Sequence, residues 1–282
     1  MGKHKNTHMG SVSEIFEKLK QQINLVDLSL NPNDEVLVKS QLETFKPLLF
    51  GFNKIVPCFE RLTINKRLPK NNNETIKELK HLKNPPSECV NKYGRANLKQ
   101  QSVLYTTFIL PTAIFEMKPL DGDLVTISKW RLKLDNTPLM VYPIIDYDNC
   151  KDNQLKNEFS KAMKMYPKEL QEIIIMDNKL LAYFFSRFVD REKDVNYIFS
   201  AYFADKILND YYDGKIDAII YPSVQDPTNS ANIALKPQVF NDKYEVFEIS
   251  ESIVRSNGYD SLFLERIKTT TTVDLNGMIQ WK

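Results

Sequence analysis

Two spacings of hydrophobic positions divide the chain into predicted helices and strands. A repeat near 3.6 residues, which places apolar side chains on one face of a helix, occurs near the N-terminus and in the middle of the chain. Alternation at every second residue, or a short apolar run closed by turn residues, predicts strands elsewhere. The predicted helices are two in the first fifty residues, 153–165, 169–188 and 194–208, and the predicted strands are 102–108, 124–134, 139–145, 216–221, 231–235, 244–249 and 262–272.

The order of these elements predicts the fold class. After the two N-terminal helices, strands are followed by a helical middle and then by further strands, without the regular alternation of a doubly wound sheet. Before the first strand, the polar stretch KRLPKNNNETIKELKHLKNPP at 66–86 predicts a loop with one short helix at 75–82. Pro111 predicts a short helical turn through Glu116, because proline is tolerated at the first helical position. The expected fold is α+β.

Composition places the chain among ordinary globular proteins. Of its 282 residues, 42% are hydrophobic and 26% are charged, which excludes a disordered chain. The 38 basic residues nearly balance the 36 acidic ones, which argues against a protein that binds nucleic-acid phosphates. The longest uncharged run, 100–115, is too short and too polar to span a membrane, and no signal-peptide stretch follows the N-terminus. We therefore expect neither nucleic acid nor a membrane among its partners.

Cysteine and histidine are too scarce for several kinds of site. Cys58, Cys89 and Cys150 form no CxxC pair, which argues against a disulfide scaffold and against a structural zinc site. Only His81 lies beyond the first ten residues, so the inventory argues against a histidine-dependent triad and a multi-histidine metal site. We expect a cytoplasmic protein that needs no metal.

Polar residues are dense beside two apolar stretches, and they form five short motifs. The first group has GRAN at 94–97, LY at 104–105 and TAIFE at 112–116, and the second group has YPS at 221–223 and NIAL at 232–235. In order and spacing these motifs resemble the RES-domain family, which is named for arginine, glutamate and serine. Each motif alone is weak, but five in the right order form a specific signal.

The resemblance also predicts how the chain is divided. It covers residues 58–245 and includes an upstream arginine in FERLTI, which aligns as Arg61, with Arg67 as a competing alignment. The expected organisation is a helical extension at 1–57, the RES-like domain at 58–245, and C-terminal strands at 246–282 that pack on the same domain.

The family resemblance implies both a fold and an activity. The implied fold is ADP-ribosyltransferase-like, a mixed β core with helical insertions, and the implied activity is binding of NAD+ as substrate and cleavage of its nicotinamide–ribose bond. Family members are typically bacterial toxins, so a partner antitoxin is expected. The acceptor stays open between water, phosphate and a protein side chain, the last of which would make the chain a protein ADP-ribosyltransferase. A catalytically silent binding module is the alternative outside the enzymes.

Three motif residues have the chemistry that this cleavage needs, and we predict them to be catalytic. The bond breaks through an oxocarbenium-like state, which the carboxylate of Glu116 would stabilise. The planar guanidinium of Arg95 suits a pyrophosphate, and Tyr105 offers a ring for stacking and a hydroxyl. Each residue also has a structural alternative: a surface salt bridge for Arg95, a core position for Tyr105 and a helix-dipole role for Glu116.

Further motif residues are predicted to bind NAD+. Ser223 follows a buried strand, and with Asn232 it can form hydrogen bonds to ribose hydroxyls or to the carboxamide; an ordinary turn position is the alternative for Ser223. We expect the two motif groups to meet, so that the pocket lies between 94–116 and 221–235. The predicted NAD+-binding residues are Arg61, Arg95, Asn97, Tyr105, Ser223 and Asn232.

Overall fold

A computed structural model describes residues 50–133, 137–186, 197–226, 230–258 and 262–282, together with separate positions from 36 to 48. The first helix predicted in the N-terminal extension lies outside these residues. At the second, Val36, residues 38–40 and Leu42 are helical. Leu42 is fully buried in a core cluster shared with the sheet, so this part of the extension packs on the main body.

The strands come in two groups that are separated along the chain by a helical segment. In chain order the strands are β1 (Phe52–Lys54), β2 (Cys58–Ile64), β3 (Leu104–Thr107), β4 (Leu124–Leu132), β5 (Leu139–Pro143), β6 (Ala218–Pro222), β7 (Ala231–Leu235), β8 (Tyr244–Ser256) and β9 (Leu262–Thr270). The α-helices among the described residues are α1 (Leu110–Met117), α2 (Asn153–Met163), α3 (Lys168–Ser186), α4 (Ile198–Asp205) and α5 (Pro237–Lys243). Short 3-10 turns lie at Asn65–Arg67, Leu79–Leu82, Ser87–Cys89 and Tyr211–Gly214, and a π-helical segment lies at Lys206–Asp210.

Within the described residues, the strands form one mixed sheet in the order β1-β5-β6-β7-β3-β2-β4-β8-β9. Strands β5 and β6 run parallel, and the other neighbouring strands run antiparallel. Helices interrupt the strands at irregular intervals, so the fold is α+β, and the expected mixed β core with helical insertions is confirmed. Strand β8 runs through the expected end of the RES-like domain at 245 and continues to Ser256.

Helices cover both faces of the sheet. On one face, Ile219 of β6 packs in a cluster with Phe184 of α3 and Phe203 of α4. On the other face, Trp130 of β4 contacts Phe240 of α5 edge-on, with ring centroids 4.7 Å apart. Burying a large apolar side chain stabilises a fold by roughly 1.5–3 kcal/mol. These two layers therefore fix the sheet that carries the motif residues.

Strands β1 and β2 and helix α5 are not predicted by the sequence pattern. Two adjacent charges, Glu60 and Arg61, interrupt the apolar run of β2, and the structure places both residues in the lining of a cavity. Pro237 opens α5 in its first turn, where a missing backbone N–H is tolerated. The charged pair in β2 and the proline in α5 are both compatible with the folded structure. They interrupt the spacing of hydrophobic residues from which strands and helices are predicted.

The short helix predicted at 75–82 forms only over its second half, as a 3-10 helix at Leu79–Leu82. The backbone of this segment bonds instead to the C-terminal residues: Leu79 N–H donates to Gly277 O at 2.9 Å, and Ile279 N–H donates to Lys77 O at 2.8 Å. Hydrogen bonds to the C-terminal residues thus engage main-chain N–H and C=O groups that a longer helix would need for its own hydrogen bonds.

The other predicted elements within the described residues are confirmed with shifted ends. The helix predicted at 194–208 runs from Ile198 and becomes π-helical at Lys206. The strand predicted to end at 249 continues to Ser256, where it still pairs with β9. None of the described helices is both long and apolar enough to cross a membrane.

Candidate active site

A cavity of about 470 Å³ opens where the sheet is nearly split. Strands β2 and β3 are neighbours, yet a single register pair, Glu60 with Thr107, joins them, whereas β2 pairs with β4 over its whole length. Residues of both strands line the resulting gap. The predicted site residues in the lining are Arg61, Arg95, Tyr105, Glu116 and Asn232.

Residues from four strands form a row on one face of the sheet beside this gap. Glu60 of β2 lies opposite Thr107 of β3, Thr107 lies opposite Asn232 of β7, and Asn232 lies opposite Tyr221 of β6. Side chains at directly opposite positions of antiparallel strands share a face, and all four residues line the cavity. This register brings the second motif group to the first.

Glu116 lies in the last turn of α1. Pro111 occupies the first turn, and the helix ends at Lys118, which has a φ of 47°. The C-terminal end of a helix carries a partial negative charge, which disfavours a nearby carboxylate. A helix-dipole role therefore does not account for Glu116.

The second motif group holds the carboxylate of Glu116. Its Oε1 accepts a hydrogen bond from Ser223 Oγ at 2.6 Å and another from Asn232 Nδ2 at 2.8 Å. Both donors are buried and come from the opposite half of the chain. Two donors on one oxygen fix the side chain, and the described residues donate no hydrogen bond to the other oxygen, Oε2. The structure thus brings Glu116, Ser223 and Asn232 together.

Ser223 does not line this cavity but contacts it indirectly, through its hydrogen bond to Glu116. It lines a neighbouring cavity of about 450 Å³, which the loop after β5, the start of α2 and one side of α3 also enclose. Because Ser223 belongs to one cavity and its partner Glu116 to the other, their hydrogen bond forms part of the wall between the two.

Tyr105 braces the turn that carries Arg95. Its hydroxyl accepts a hydrogen bond from the Ala96 N–H at 2.7 Å and donates to Asn97 Oδ1 at 2.8 Å. Burial raises the pKa of Tyr105, although the Ala96 hydrogen bond and the charge of Arg95 oppose the shift. The hydroxyl therefore stays protonated at neutral pH and keeps its donor role in the turn.

The side chain of Asn97 is engaged by the chain itself. Its Oδ1 accepts from Tyr105, and its Nδ2 donates to the main-chain carbonyls of Leu98 at 2.9 Å and Lys92 at 3.3 Å. Asn97 is buried and does not line the cavity. Binding of NAD+ by Asn97 stays a prediction, and these contacts favour a role in shaping the turn.

Arg95 is a buried cation in the cavity wall. Its Nη1 donates to the main-chain carbonyl of Phe185 in the last turn of α3, and its Cζ lies 5.2 Å from the centroid of the Tyr197 ring. A main-chain carbonyl oxygen and the face of an aromatic ring both attract a cation. Because Arg95 is only 8% exposed, the surface salt bridge does not describe it.

Arg61 carries a buried donor without a partner. Its Nη1 and the hydroxyls of Thr63 and Thr106 are enclosed, and none of the three atoms has a hydrogen-bond partner among the described residues. All three residues line the cavity at the split between β2 and β3. Burial lowers the pKa of Arg61 to about 10. Unpaired buried donors are unfavourable, and an anionic ligand in the gap would satisfy them.

The competing arginine, Arg67, has a different environment. It lies in the 3-10 turn after β2, is exposed, and lines the same cavity. Its Nη1 donates to Met117 O at 2.7 Å and its Nη2 to Lys118 O at 3.3 Å, so it caps the end of α1. The contacts therefore favour Arg61 over Arg67 as the arginine that meets a ligand.

Sequence reasoning missed several lining residues: Glu60, Thr63, Thr106, Tyr197 and Tyr221. Glu60 lies in FERLTI beside Arg61, and Tyr221 is the first residue of YPS, so each is next to a predicted site residue or within its motif, and this position could have indicated both. No local signal marks Thr63 or Thr106, because the gap between their strands is set by register. Tyr197 belongs to an aromatic-rich segment that the pattern assigns to the core.

Charge in the cavity is carried by arginine and glutamate. The charged lining residues are Arg61, Arg67, Arg95, Glu60 and Glu116. Arginine forks bind phosphate oxygens through paired hydrogen bonds, so this lining suits a ligand with a diphosphate. In the part of the chain that the structure describes, no group of three or more His, Cys, Asp or Glu side chains could hold a metal ion.

The family model described as RES domain matches residues 70–252. This range is more than half of the chain and contains all five motifs, whereas Arg61 and Arg67 lie before it. No curated protein matches the chain. Because the family model matches most of the chain, and because the motif residues that it spans meet around one cavity, the protein belongs to the RES-domain family.

Proposed function

We propose that this chain binds NAD+ in the cavity at the split of the sheet and cleaves the nicotinamide–ribose bond. The observation that carries the proposal is the Glu116 carboxylate, which Ser223 and Asn232 hold in place at the wall of an arginine-lined cavity. Membership of the RES-domain family supports an NAD-related ligand.

The proposed chemistry needs a fixed negative charge beside the ribose. The bond between C1′ and the pyridinium nitrogen breaks, and its electron pair leaves with neutral nicotinamide. Positive charge then develops on the sugar, as in glycoside hydrolysis. Glu116 places its charge against that sugar, and because two hydrogen bonds already orient it, little reorganisation is needed in the transition state. Its Oε2 is the oxygen available to a ribose hydroxyl or to the acceptor.

The diphosphate of NAD+ is proposed to lie against Arg61 and Arg95. Arg61 brings to the gap a buried nitrogen that has no partner within the described part of the chain, and Arg95 is held at the wall by Phe185 and Tyr197. A phosphate oxygen near Arg61 would convert an unfavourable buried donor into a charge-assisted hydrogen bond. Tyr105 contributes its ring to the lining, since its hydroxyl is engaged in the turn.

The acceptor completes the reaction by attacking C1′ through an oxygen whose proton passes to Glu116 or to solvent. We propose water or inorganic phosphate as the acceptor, so that NAD+ is destroyed. A protein side chain at the same site would make the chain a protein ADP-ribosyltransferase. Loss of NAD+ would disable all NAD+-dependent dehydrogenases at once, so we propose a toxin that acts in the bacterial cytoplasm and that an antitoxin protein restrains.

The direct test is incubation of the purified chain with NAD+ and chromatographic measurement of free nicotinamide. Reactions with and without phosphate, and with a protein extract as acceptor, separate the three acceptors by their products. We expect nicotinamide from the wild-type chain and at least a hundredfold slower release from Glu116→Gln. Absence of nicotinamide under all three conditions would favour the silent binding module.

A further inference from the structure

Two side chains on one face of α1 bond to the same loop. Thr112 and Glu116 are four residues apart, which places them one turn apart on the same side of the helix. Thr112 Oγ1 donates to Asp226 Oδ2, and Glu116 Oε1 accepts from Ser223 Oγ. The segment 223–226, which follows β6, is therefore joined to α1 at two points.

The backbone of Asp226 also fixes the direction of the Ser223 hydroxyl. Ser223 Oγ accepts a hydrogen bond from the Asp226 N–H at 3.0 Å. A hydroxyl has one proton to donate, and that proton goes to Glu116 Oε1 at 2.6 Å. Asp226 thus acts on Glu116 by two routes, through Ser223 from its backbone and through Thr112 from its carboxylate.

The three residues that surround Glu116 in this arrangement are shielded from water. Thr112 is 0% exposed, Asp226 4% and Ser223 7%. Hydrogen bonds are stronger in such an environment, and leaving one partner unpaired is correspondingly unfavourable. Neither Thr112 nor Asp226 lines the cavity that contains Glu116. Their effect on that cavity must therefore pass through other residues.

We infer that Thr112 and Asp226 are positioning residues for Glu116. The inference rests on the proposed function and deepens it, because it identifies what holds the carboxylate at the distance that the cleavage needs. A charge that acts on a transition state must be held within about 0.5 Å of its productive position. A displacement of about 1 Å can lower a rate on the order of a hundredfold.

The test is a double-mutant cycle with Glu116→Gln, in which nicotinamide release is followed over a range of NAD+ concentrations, with long incubations for the slow variants, so that kcat and KM are obtained for each. Thr112→Val keeps the shape of threonine and removes its donor. We expect it to lower kcat ten- to a hundredfold in the wild-type background while KM changes less than twofold. In the Glu116→Gln background the same substitution should lower the residual rate less than twofold. An equal loss in both backgrounds would overturn the inference.

Two conservative variants separate positioning from general damage to the fold. Thr112→Ser keeps the hydroxyl, and Asp226→Asn keeps both the backbone N–H and an acceptor oxygen for Thr112. We expect Thr112→Ser to retain at least a third of the wild-type kcat and Asp226→Asn at least a fifth. If Asp226→Asn loses as much activity as Thr112→Val, its charge rather than its position matters, and the inference is wrong.

Amide hydrogen exchange tests the same contacts without using activity. Thr112→Val should accelerate exchange at the Asp226 amide at least fivefold, and Thr112→Ser should leave it within twofold of wild type. A chain that releases no nicotinamide refutes the proposed function and, with it, a positioning role in this cleavage. Normal cleavage with unchanged exchange and kcat in Thr112→Val refutes the positioning role alone.

Discussion

Tyr105 donates its hydroxyl proton to Asn97 Oδ1 at 2.8 Å, so two motif residues that we expected to contact NAD+ brace each other. The same hydroxyl accepts from the Ala96 N–H, and both polar atoms of the Asn97 side chain are engaged. These contacts hold the short turn between Gly94 and Asn97. The motifs GRAN and LY therefore act together: the tyrosine of LY stabilises the turn formed by GRAN, and this turn places Arg95 in the cavity wall.

Gly94 is predicted to be the least replaceable residue of this turn. A Cβ built at Gly94 would lie 2.7 Å from the Tyr105 hydroxyl oxygen and closer still to Asn97 Oδ1. Gly94→Ala should therefore destabilise the fold by about 1–3 kcal/mol through overpacking. It should also weaken NAD+ binding, because Arg95 is the next residue. Thermal unfolding measures the first effect, and calorimetric titration with NAD+ in a Glu116→Gln background measures the second.

Gly122→Ala is the matched control for Gly94→Ala. A Cβ at Gly122 would meet nothing within 4 Å, but its φ of +80° is strained for alanine. The expected loss is about 1–2 kcal/mol of stability from the backbone alone. NAD+ affinity should not change, since Gly122 is outside the cavity lining. A Gly94→Ala variant that binds NAD+ as tightly as Gly122→Ala would contradict the role assigned to the turn.

Tyr105→Phe is predicted to lower stability and to alter its dependence on alkaline pH. Removing the hydroxyl leaves the Ala96 N–H and Asn97 Oδ1 without this partner, which should destabilise the fold by about 1–3 kcal/mol. Burial raises the pKa of Tyr105 in the folded chain. Its neutral form therefore stabilises the fold below pH ~10, the unfolded value, and this contribution falls as pH rises through the folded pKa.

The measurement is the melting temperature between neutral and strongly alkaline pH, with tyrosinate absorbance recorded in parallel. Burial raises the pKa of Tyr221 and of Tyr244 as well, so some alkaline sensitivity should remain in the variant. We expect a shallower fall in melting temperature above pH ~10 for Tyr105→Phe than for wild type. Identical slopes would show that Tyr105 titrates as an ordinary tyrosine.

The elements that carry the motif residues could be predicted from the sequence because each motif is local. The strand ending at YPS and the helix carrying Glu116 follow from short apolar runs and from Pro111, and both form as expected. The meeting of Glu116 with Ser223 also followed from the expectation that the motif groups lie together. In contrast, the gap between β2 and β3 depends on a register that joins the two strands at one pair, and no local pattern encodes it.

The difference between local motifs and long-range contacts also explains which residues of the site the sequence did not reveal. Thr63 and Thr106 are ordinary strand residues in the sequence, and only the gap leaves their hydroxyls without partners among the described residues. Asp226 follows YPS by three residues, but its importance depends on Thr112 of a distant helix. Long-range partners of this kind are set by tertiary packing, which a single sequence does not display.

Arg61 and Arg67 are predicted to differ in their effects on binding. Arg61→Met removes a guanidinium whose Nη1 is buried without a partner among the described residues, so the free protein should keep its stability or gain about 1 kcal/mol. NAD+ affinity should fall at least tenfold, because the variant lacks one of the two arginines proposed to bind the diphosphate. Arg67→Met removes exposed hydrogen bonds to Met117 O and Lys118 O, and affinity should change less than threefold.

Calorimetric titration in a Glu116→Gln background, where NAD+ should be consumed slowly, compares the two arginine variants directly. Melting temperatures measured without NAD+ report the stability of the free protein. An Arg67→Met variant that loses as much affinity as Arg61→Met would instead favour Arg67 as the upstream arginine of the family.

Glu116→Gln is predicted to abolish most of the chemical step while leaving the fold intact. Glutamine keeps an oxygen that can accept from Ser223 Oγ and Asn232 Nδ2, so the two hydrogen bonds can persist. Stability should therefore change by no more than about 1 kcal/mol. The negative charge is lost, and removing one well-placed electrostatic partner typically lowers a rate on the order of 10²–10³-fold, or roughly 3–4 kcal/mol.

The matched control is Glu60→Gln, which removes a carboxylate from the same cavity. In the row across the sheet, Glu60 lies two strands away from Asn232. Its Oε1 lies 3.9 Å from Lys129 Nζ, and neither Ser223 nor Asn232 holds its carboxylate. We expect its kcat to fall less than fivefold. Because Arg61, Arg95 and the Tyr105 ring remain to bind NAD+, the loss in Glu116→Gln should appear in kcat rather than in the dissociation constant for NAD+. If Glu116→Gln cleaves NAD+ at nearly the wild-type rate and melts normally, the carboxylate is structural and the mechanism is wrong.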